Sequence, residues 1–395
     1  MKTKYFLYLV ISMFFTIGCS SNKQSEDSLP CIDLRNNYPE KEIILSDIAD
    51  ITYVHLNTKD DDYLYKGFIR YATANTIVLP DMSSGAILFF DKDGNPKSRF
   101  NHYGEGPQEY IRKGIDIETL IYDELADEVV IGYRNTILVY SSTGEYKRKI
   151  VLPQGIRAWI VDFDNQSYFV YDEQKQFKKL IRETSSINQL NDSIYFRISK
   201  TDGRVLDYVI VPNNDAIDIT DCDGENVLFY YGNIRICDAG LLLCNPETDT
   251  VFLYQKDKSL IPFFCKKPLV NNTYPKVILG SFMDAGRYQF ITISKPAKFM
   301  DFGKYPNEYY VRDKQTDEIF HQKVILKDYK GKELFISNLY NICFDGKDTF
   351  FWDELNLIEL KKANREGRLS GKLKELVATL NENKDNNVFM LARFK

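Results

Sequence analysis

Three histidines, seven cysteines and one glycine-rich loop hold most of the reactive potential of this 395-residue chain. His55 falls in a strand-like Thr-Tyr-Val-His-Leu run and His321 in the second half of a hairpin-like segment, so both read as sheet-surface residues. His102 is different, because it stands just before Gly104-Glu105-Gly106-Pro107-Gln108-Glu109-Tyr110. As a general base it would need an orienting partner. In the loop, Gly104 and Gly106 permit tight turning, Pro107 fixes its own φ, Glu109 can accept bonds from loop amides, and Tyr110 can pack while its hydroxyl finds a partner. Every one of these residues has a folding role, so the loop reads first as a structural corner and second as a binding loop. Gly303-Lys304-Tyr305-Pro306-Asn307-Glu308-Tyr309 repeats the Gly-x-x-Pro-x-Glu-Tyr spacing, which favours the corner role. The chain has no Gly-x-Ser-x-Gly elbow, no His-Glu-x-x-His and no Gly-x-x-x-x-Gly-Lys phosphate loop.

Calcium remains the one cofactor to consider, since its oxygen ligands can come from separate segments and leave no local motif. Asp221-Cys222-Asp223-Gly224 resembles part of an EF-hand loop, but Ile219 and Tyr230 would occupy its first and last ligand positions. Asp60-Asp61-Asp62 reads as a solvated turn. No Cys-x-x-Cys occurs, which removes support for redox or zinc-ribbon chemistry. Cys31, Cys222, Cys237, Cys244, Cys265 and Cys343 allow fifteen pairings. A hairpin turn at Asp238-Ala239-Gly240 sets Cys237 opposite Leu241, and Cys244 then lies about 10 Å away, beyond the ~7 Å disulfide limit. Those two cysteines are therefore expected not to be bonded to each other.

The seventh cysteine, Cys19, has another role. Lys2 and Lys4 precede an apolar run from Tyr5 to Ile17, followed by Gly18-Cys19 and a polar stretch. The run fits a signal-peptide core and falls short of the ~20 residues a spanning helix needs. Thr16-Ile17-Gly18-Cys19 resembles a bacterial lipobox, with Thr16 in place of the usual Leu. Residues 1–18 are thus expected to be a lipoprotein signal peptide, and residues 19–30 a lipidated Cys19 with a flexible tether. Stable anchoring takes more than one acyl chain, which a multiply acylated Cys19 supplies. The expected address is the cell envelope, at the outer membrane. A net charge of −5, with 51 Lys and Arg scattered among 56 Asp and Glu, argues against nucleic acid as a partner.

The elements that must position these residues are short strands. Tyr, Phe and Trp make up 14% of the chain and fall in runs with β-branched residues. A strand, a turn of Asp, Ser, Thr, Asn or Gly, and a second strand recur from Ile87, Ile137, Tyr195, Leu241 and Tyr309, with Gly94, Gly144 and Gly203 placed for positive φ. Repeats of roughly 50 residues with several strands each indicate a β-propeller, and length alone permits seven or eight blades. Val388 to Lys395 reads as a terminal strand completing a blade shared with the N-terminal region. Leu369, Leu373, Leu376, Val377 and Leu380 form one face of a helix that packs before that strand. Lys372, Lys374, Glu375 and Asn381 face water.

Several segments are similar to a known family. Ile43 to Thr58 resembles its opening strand, Ile87 to Gly94 its first hairpin, and Gly104 to Tyr110 its Gly-x-Gly-Pro-x-Glu-aromatic loop. The C-terminal tail also matches, except that Asn387 stands where Pro is common. The chain resembles the six-bladed β-propeller lipoproteins of Gram-negative bacteria, with an NHL/TolB-like propeller. The resemblance implies an all-β, six-bladed β-propeller over residues 31–395 with a short C-terminal helix and closing strand. It implies little about activity. Two functions follow from the residues: a membrane-anchored module that binds a protein, peptide or glycan, or a calcium-dependent hydrolase or lyase with its site in the central channel. The first is favoured because no catalytic constellation is legible.

Overall fold

The structure is a computed structural model that describes residues 29–395 except 60, 68, 74, 111–116, 118, 154–155, 158, 173–192, 213–232, 246–247, 274–275, 295–306, 337–341 and 345–347. Its strands form six sheets arranged as blades, each with a core of four antiparallel strands. Blade I contains Tyr71–Ala72, Thr76–Pro80, Ile87–Asp91 and Pro96–Phe100. Blade II contains Thr119–Asp123, Glu128–Tyr133, Thr136–Tyr140 and Tyr146–Val151. Blade III contains Ile160–Asp162, Ser167–Tyr171, Tyr195–Ser199 and Val205–Val209. Blade IV is built from Asn233–Cys237, Gly240–Cys244, Thr250–Gln255 and Leu260–Lys267, and blade V from Ile278–Ala285, Tyr288–Ser294, Glu308–Asp313 and Ile319–Ile325. Blade VI takes Ile342–Phe344, Thr349–Leu355 and Val388–Phe394 from the C-terminal region, and its outermost strand, Ala49–His55, from the N-terminal region.

The burial pattern explains why these sequences close into a ring. Middle strands such as Ile87–Asp91, Ser167–Tyr171 and Gly240–Cys244 are buried along nearly their whole length, because both faces of each sheet lie against a neighbouring blade. A strand buried on both faces needs a continuous apolar run. Outer strands such as Pro96–Phe100 and Val205–Val209 alternate exposed with partly or fully buried positions. The core is correspondingly divided among the seams. Val54, Leu56, Leu79, Leu88, Trp352 and Phe389 pack between blades VI and I. Similar clusters occupy the I–II, II–III, III–IV, IV–V and V–VI seams.

Closure is in register from Val388 opposite His55 to Phe394 opposite Ala49, so the two ends of the chain share blade VI as expected. Before reaching it, the N-terminal segment runs as a strap along the rim. Cys31–Asp33 adds in parallel to the outer strand of blade IV, and Glu40–Ile44 adds in parallel to that of blade V. A single helical turn, α1 (Leu45–Ile48), then delivers the chain to blade VI. The opening segment from Ile43 is therefore two strands on different blades. A Cys31–Cys265 disulfide fixes the strap to blade IV across a separation of 234 residues.

The periodicity count of seven or eight blades is reduced to six because some connections contain long insertions. One insertion holds two helices, α2 (Leu357–Arg365) and α3 (Gly371–Thr379), between the second and third strands of blade VI. The Asn356 side chain accepts a bond from the Glu359 N–H and caps α2. Leu369, Leu373, Val377 and Leu380 are buried against blades V and VI, as their spacing predicts. Cys237 and Cys244 are not bonded to each other, as expected, and both are buried. Cys237, however, lies opposite Gly240, and Leu241 opposite Ile236, because the turn has only two residues, Asp238 and Ala239.

Candidate functional site

The strand order places the short and long connections at opposite ends of the sheets. First-to-second strand turns are two to four residues long, and third-to-fourth strand turns of blades I–V are four or five. At the other end, second-to-third connections span residues 172–194, 295–307 and 356–387 in blades III, V and VI. The connections between blades, which include residues 101–118 and 210–232, emerge at that end as well. This loop end carries the glycine-rich loop, the helical insertion and the polar seam between blades VI and I.

Gly104 to Tyr110 forms a corner leading from blade I to blade II. Tyr110 is buried, and its hydroxyl donates to the Gly85 carbonyl at 2.7 Å while accepting the His102 N–H at 3.1 Å. Burial pushes that hydroxyl well above the usual tyrosine pKa range. The Gly106 N–H donates to Glu109 Oε2 at 2.7 Å, and the Glu109 N–H donates to the Gly106 carbonyl. A Cβ on Gly104 would meet the same carboxylate, which would have to shift to make room. The Tyr140 hydroxyl in blade II donates to the Gln108 carbonyl at 2.7 Å, joining the corner to the next blade.

His102 stacks on Tyr140 with an 8° interplanar angle, and its Nε2–H donates to the Gly144 carbonyl at 2.6 Å. Its orienting partners are thus an aromatic ring and a backbone carbonyl. Pro107, Gln108 and Glu109 remain exposed, as do Tyr103 and Glu105, giving the corner a rigid outward surface. Chemically it can present aromatic, amide and carboxylate groups in fixed positions.

A second polar group at this end was not legible as a site in the sequence. Glu354 Oε1 accepts the Tyr65 hydroxyl at 2.8 Å and Asn387 Nδ2–H at 2.9 Å. Asn387 Oδ1 also accepts the Leu357 N–H at the start of α2. The neighbouring Asn386 side chain donates to the Leu56 and Tyr63 carbonyls. Burial raises the Glu354 carboxyl pKa, against the lowering effect of its two donors. His55 sits 3.4 Å from Asp385, and burial, opposed by Asp385, lowers its pKa. The available signal was Asn387 in a position where Pro is common, because Pro lacks the amide group that connects α2 to Glu354.

The other sequence candidates separate. Asp62 pairs with Arg99 at 2.8 Å, while Asp60 is outside the described residues. Also outside them are Cys19, Asp221 to Gly224 and residues 303–306 of the echo of the glycine-rich loop. His321 packs against the Tyr310 ring within blade V at a tilt of 34°. Among the described residues, no group of three or more His, Cys, Asp or Glu is placed to hold a metal ion. Also among them, no helix is long and apolar enough to cross a membrane.

Six sheets, each built on four antiparallel strands, with blade VI completed by strands from both ends of the chain, define a six-bladed β-propeller. Residues 20–353 match the DUF5128 family, described as "6-bladed beta-propeller", and the chain belongs to that family. Its fold is similar to that of a "Putative exported protein" from Bacteroides fragilis, with a TM-score of 0.59 and 15% identity over 93% of this chain and 99% of that one. A member of the DUF4221 family from Bacteroides vulgatus aligns with a TM-score of 0.48 and 11% identity, covering 88% of this chain and 97% of that one. A comparison with curated proteins finds no match.

Proposed function

We propose that the protein is a membrane-anchored binding or assembly module, tethered through Cys19, that uses the loop end of its propeller to hold a protein, peptide or glycan. The observation that carries this reading is the asymmetry of the connections: compact turns at one end and every long connection at the other. A rigid ring with variable loops at one end is a platform suited to recognition. The internally bonded corner at Gly104, Gly106, Pro107, Glu109 and Tyr110 supports a positioning role, with Tyr103, Glu105 and Gln108 as its outward contacts. The signal-peptide pattern, the lipobox-like Thr16 to Cys19 and the exported B. fragilis neighbour support an envelope address, with the lipid anchor in the outer membrane.

Two measurements test the reading. Mass analysis of the N-terminal peptide from native membranes is expected to find acyl groups on Cys19, and an unmodified N-terminus would remove the anchor. Metal analysis of the purified chain, with melts in calcium and in EDTA, addresses ligand chemistry. A metal-free chain whose melt ignores both additions fits the binding module, whereas stoichiometric metal lost with stability on chelation would overturn it in favour of a metal-dependent enzyme.

A further inference from the structure

The outer strands of blades I, II and III share one burial rhythm but differ in chemistry. Their exposed positions are Lys97 and Arg99 in blade I, Lys147, Lys149 and Val151 in blade II, and Leu206 and Tyr208 followed by Ile210 in blade III. Lysine and arginine are the usual protection of a sheet edge, and blade III replaces them with an apolar row. Leu206, Tyr208 and Ile210 are 38%, 44% and 55% exposed. Asp207, the carboxylate between them, turns to the opposite face and pairs with Arg197. Blades IV and V have this edge covered by the N-terminal strap.

The strap also shows what lies beside the row. Cys31–Asp33 runs parallel to Leu260–Lys267, so the chain reaches blade IV from the Leu260 end. Leu260 packs in the III–IV seam with Val209 and Val211. The chain from Cys19 therefore reaches the fold on blade IV, the ring neighbour of blade III, and the disulfide fixes that point. The ten residues between Cys19 and Pro30 span at most about 35 Å, which keeps this part of the rim near any surface holding Cys19.

We propose that Leu206, Tyr208 and Ile210 form a membrane-contact surface, resting in the interfacial zone of the bilayer that holds the anchor. The proposal rests on the membrane-anchored reading and adds the side on which the propeller lies. Tyr suits the boundary between headgroups and acyl chains, with Leu and Ile supplying apolar area next to it. Tethering raises the local concentration of bilayer to the millimolar range, so three side chains are enough to orient the domain.

The test uses the mature chain with a His tag in place of Cys19, held on nickel-chelating vesicles of phosphatidylethanolamine and phosphatidylglycerol with brominated acyl chains. Tyr208→Trp reports contact, with Lys149→Trp at the equivalent position of blade II as the control. Tyr208→Trp is expected to lose about half of its added emission on brominated relative to plain vesicles, and Lys149→Trp almost none. Equal insensitivity of the two reporters would overturn the proposal. So would sedimentation showing a dimer that Leu206→Ser/Tyr208→Ser/Ile210→Ser converts to monomer, which would assign the row to a second copy. The tag replaces the lipid, so this result is independent of whether native Cys19 is acylated.

Discussion

Replacing Tyr110 with Phe removes one oxygen from the corner between blades I and II and leaves the ring in place. The lost hydroxyl donates to the Gly85 carbonyl at 2.7 Å and accepts the His102 N–H at 3.1 Å. Tyr110 is only 1% exposed, so water has little access to the space left behind. Each net hydrogen bond contributes about 1 kcal/mol, and each partner left unsatisfied costs about 1–3 kcal/mol. The expected loss is therefore about 2–4 kcal/mol. With a urea slope of roughly 3 kcal/mol/M, the midpoint falls by about 1 M at unchanged slope. Tyr140→Phe removes one bond, to a loop carbonyl at an exposed residue, and is expected to cost about 1 kcal/mol. Equilibrium urea unfolding of the mature chain, followed by far-UV circular dichroism, measures both. A Tyr110→Phe midpoint within 0.2 M of wild type, on the order of 0.5 kcal/mol, would refute the corner's role in joining the blades.

Three other perturbations probe different parts of the ring. Cys31→Ser/Cys265→Ser is expected to lower unfolding free energy by about 2–5 kcal/mol and expose the strap to protease, read by urea melts and peptide mapping. Gly94 has a φ of 83°, and an added Cβ would meet the His55 carbonyl of blade VI, so Gly94→Ala should cost at least about 2 kcal/mol in the same melt. Glu354 has its carboxyl pKa raised mainly by burial, so the native state holds that proton more tightly than the unfolded chain. The cost is present at neutral pH and is relieved as pH falls through the raised pKa. Glu354→Gln retains an acceptor for Tyr65 and Asn387, and should melt higher than wild type at pH 7, the difference shrinking toward pH 4.

Much of the architecture was legible because a blade buried on both faces requires strands that are apolar throughout. Ile87–Asp91 and Gly240–Cys244 show that pattern directly. Gly94, Gly144 and Gly203 marked their hairpins because each has positive φ. Gly240 misled for a related reason. It has a φ of 146° and opens a strand, and a Cβ there would strike the Tyr254 carbonyl, so close approach explains the glycine and the turn is one residue shorter. The parallel strap and its disulfide were hidden because residues 234 apart meet only through the closed ring. α2 has a helix signal of its own in the sequence, the Asn356 cap with Glu359 three residues on, but its apolar spacing is shorter than that of α3. Of the polar groups at the loop end, the glycine-rich corner was visible as a motif. The Glu354–Tyr65–Asn387 network was not, because Tyr65 lies in the connection from blade VI to blade I, 289 residues from Glu354 in the strand Thr349–Leu355.

The central claim is that partners bind at the loop end. Photo-crosslinking residues placed at Glu105, Gln108 and Glu382 sample that end, and Leu125, Asn165 and Asp238 sample the short turns opposite. Irradiation in the native envelope, followed by mass spectrometry, is expected to give the same crosslinked species from the three loop-end positions and none from the three turn positions. Crosslinks to that species from the turns, with none from the loop end, would contradict the account.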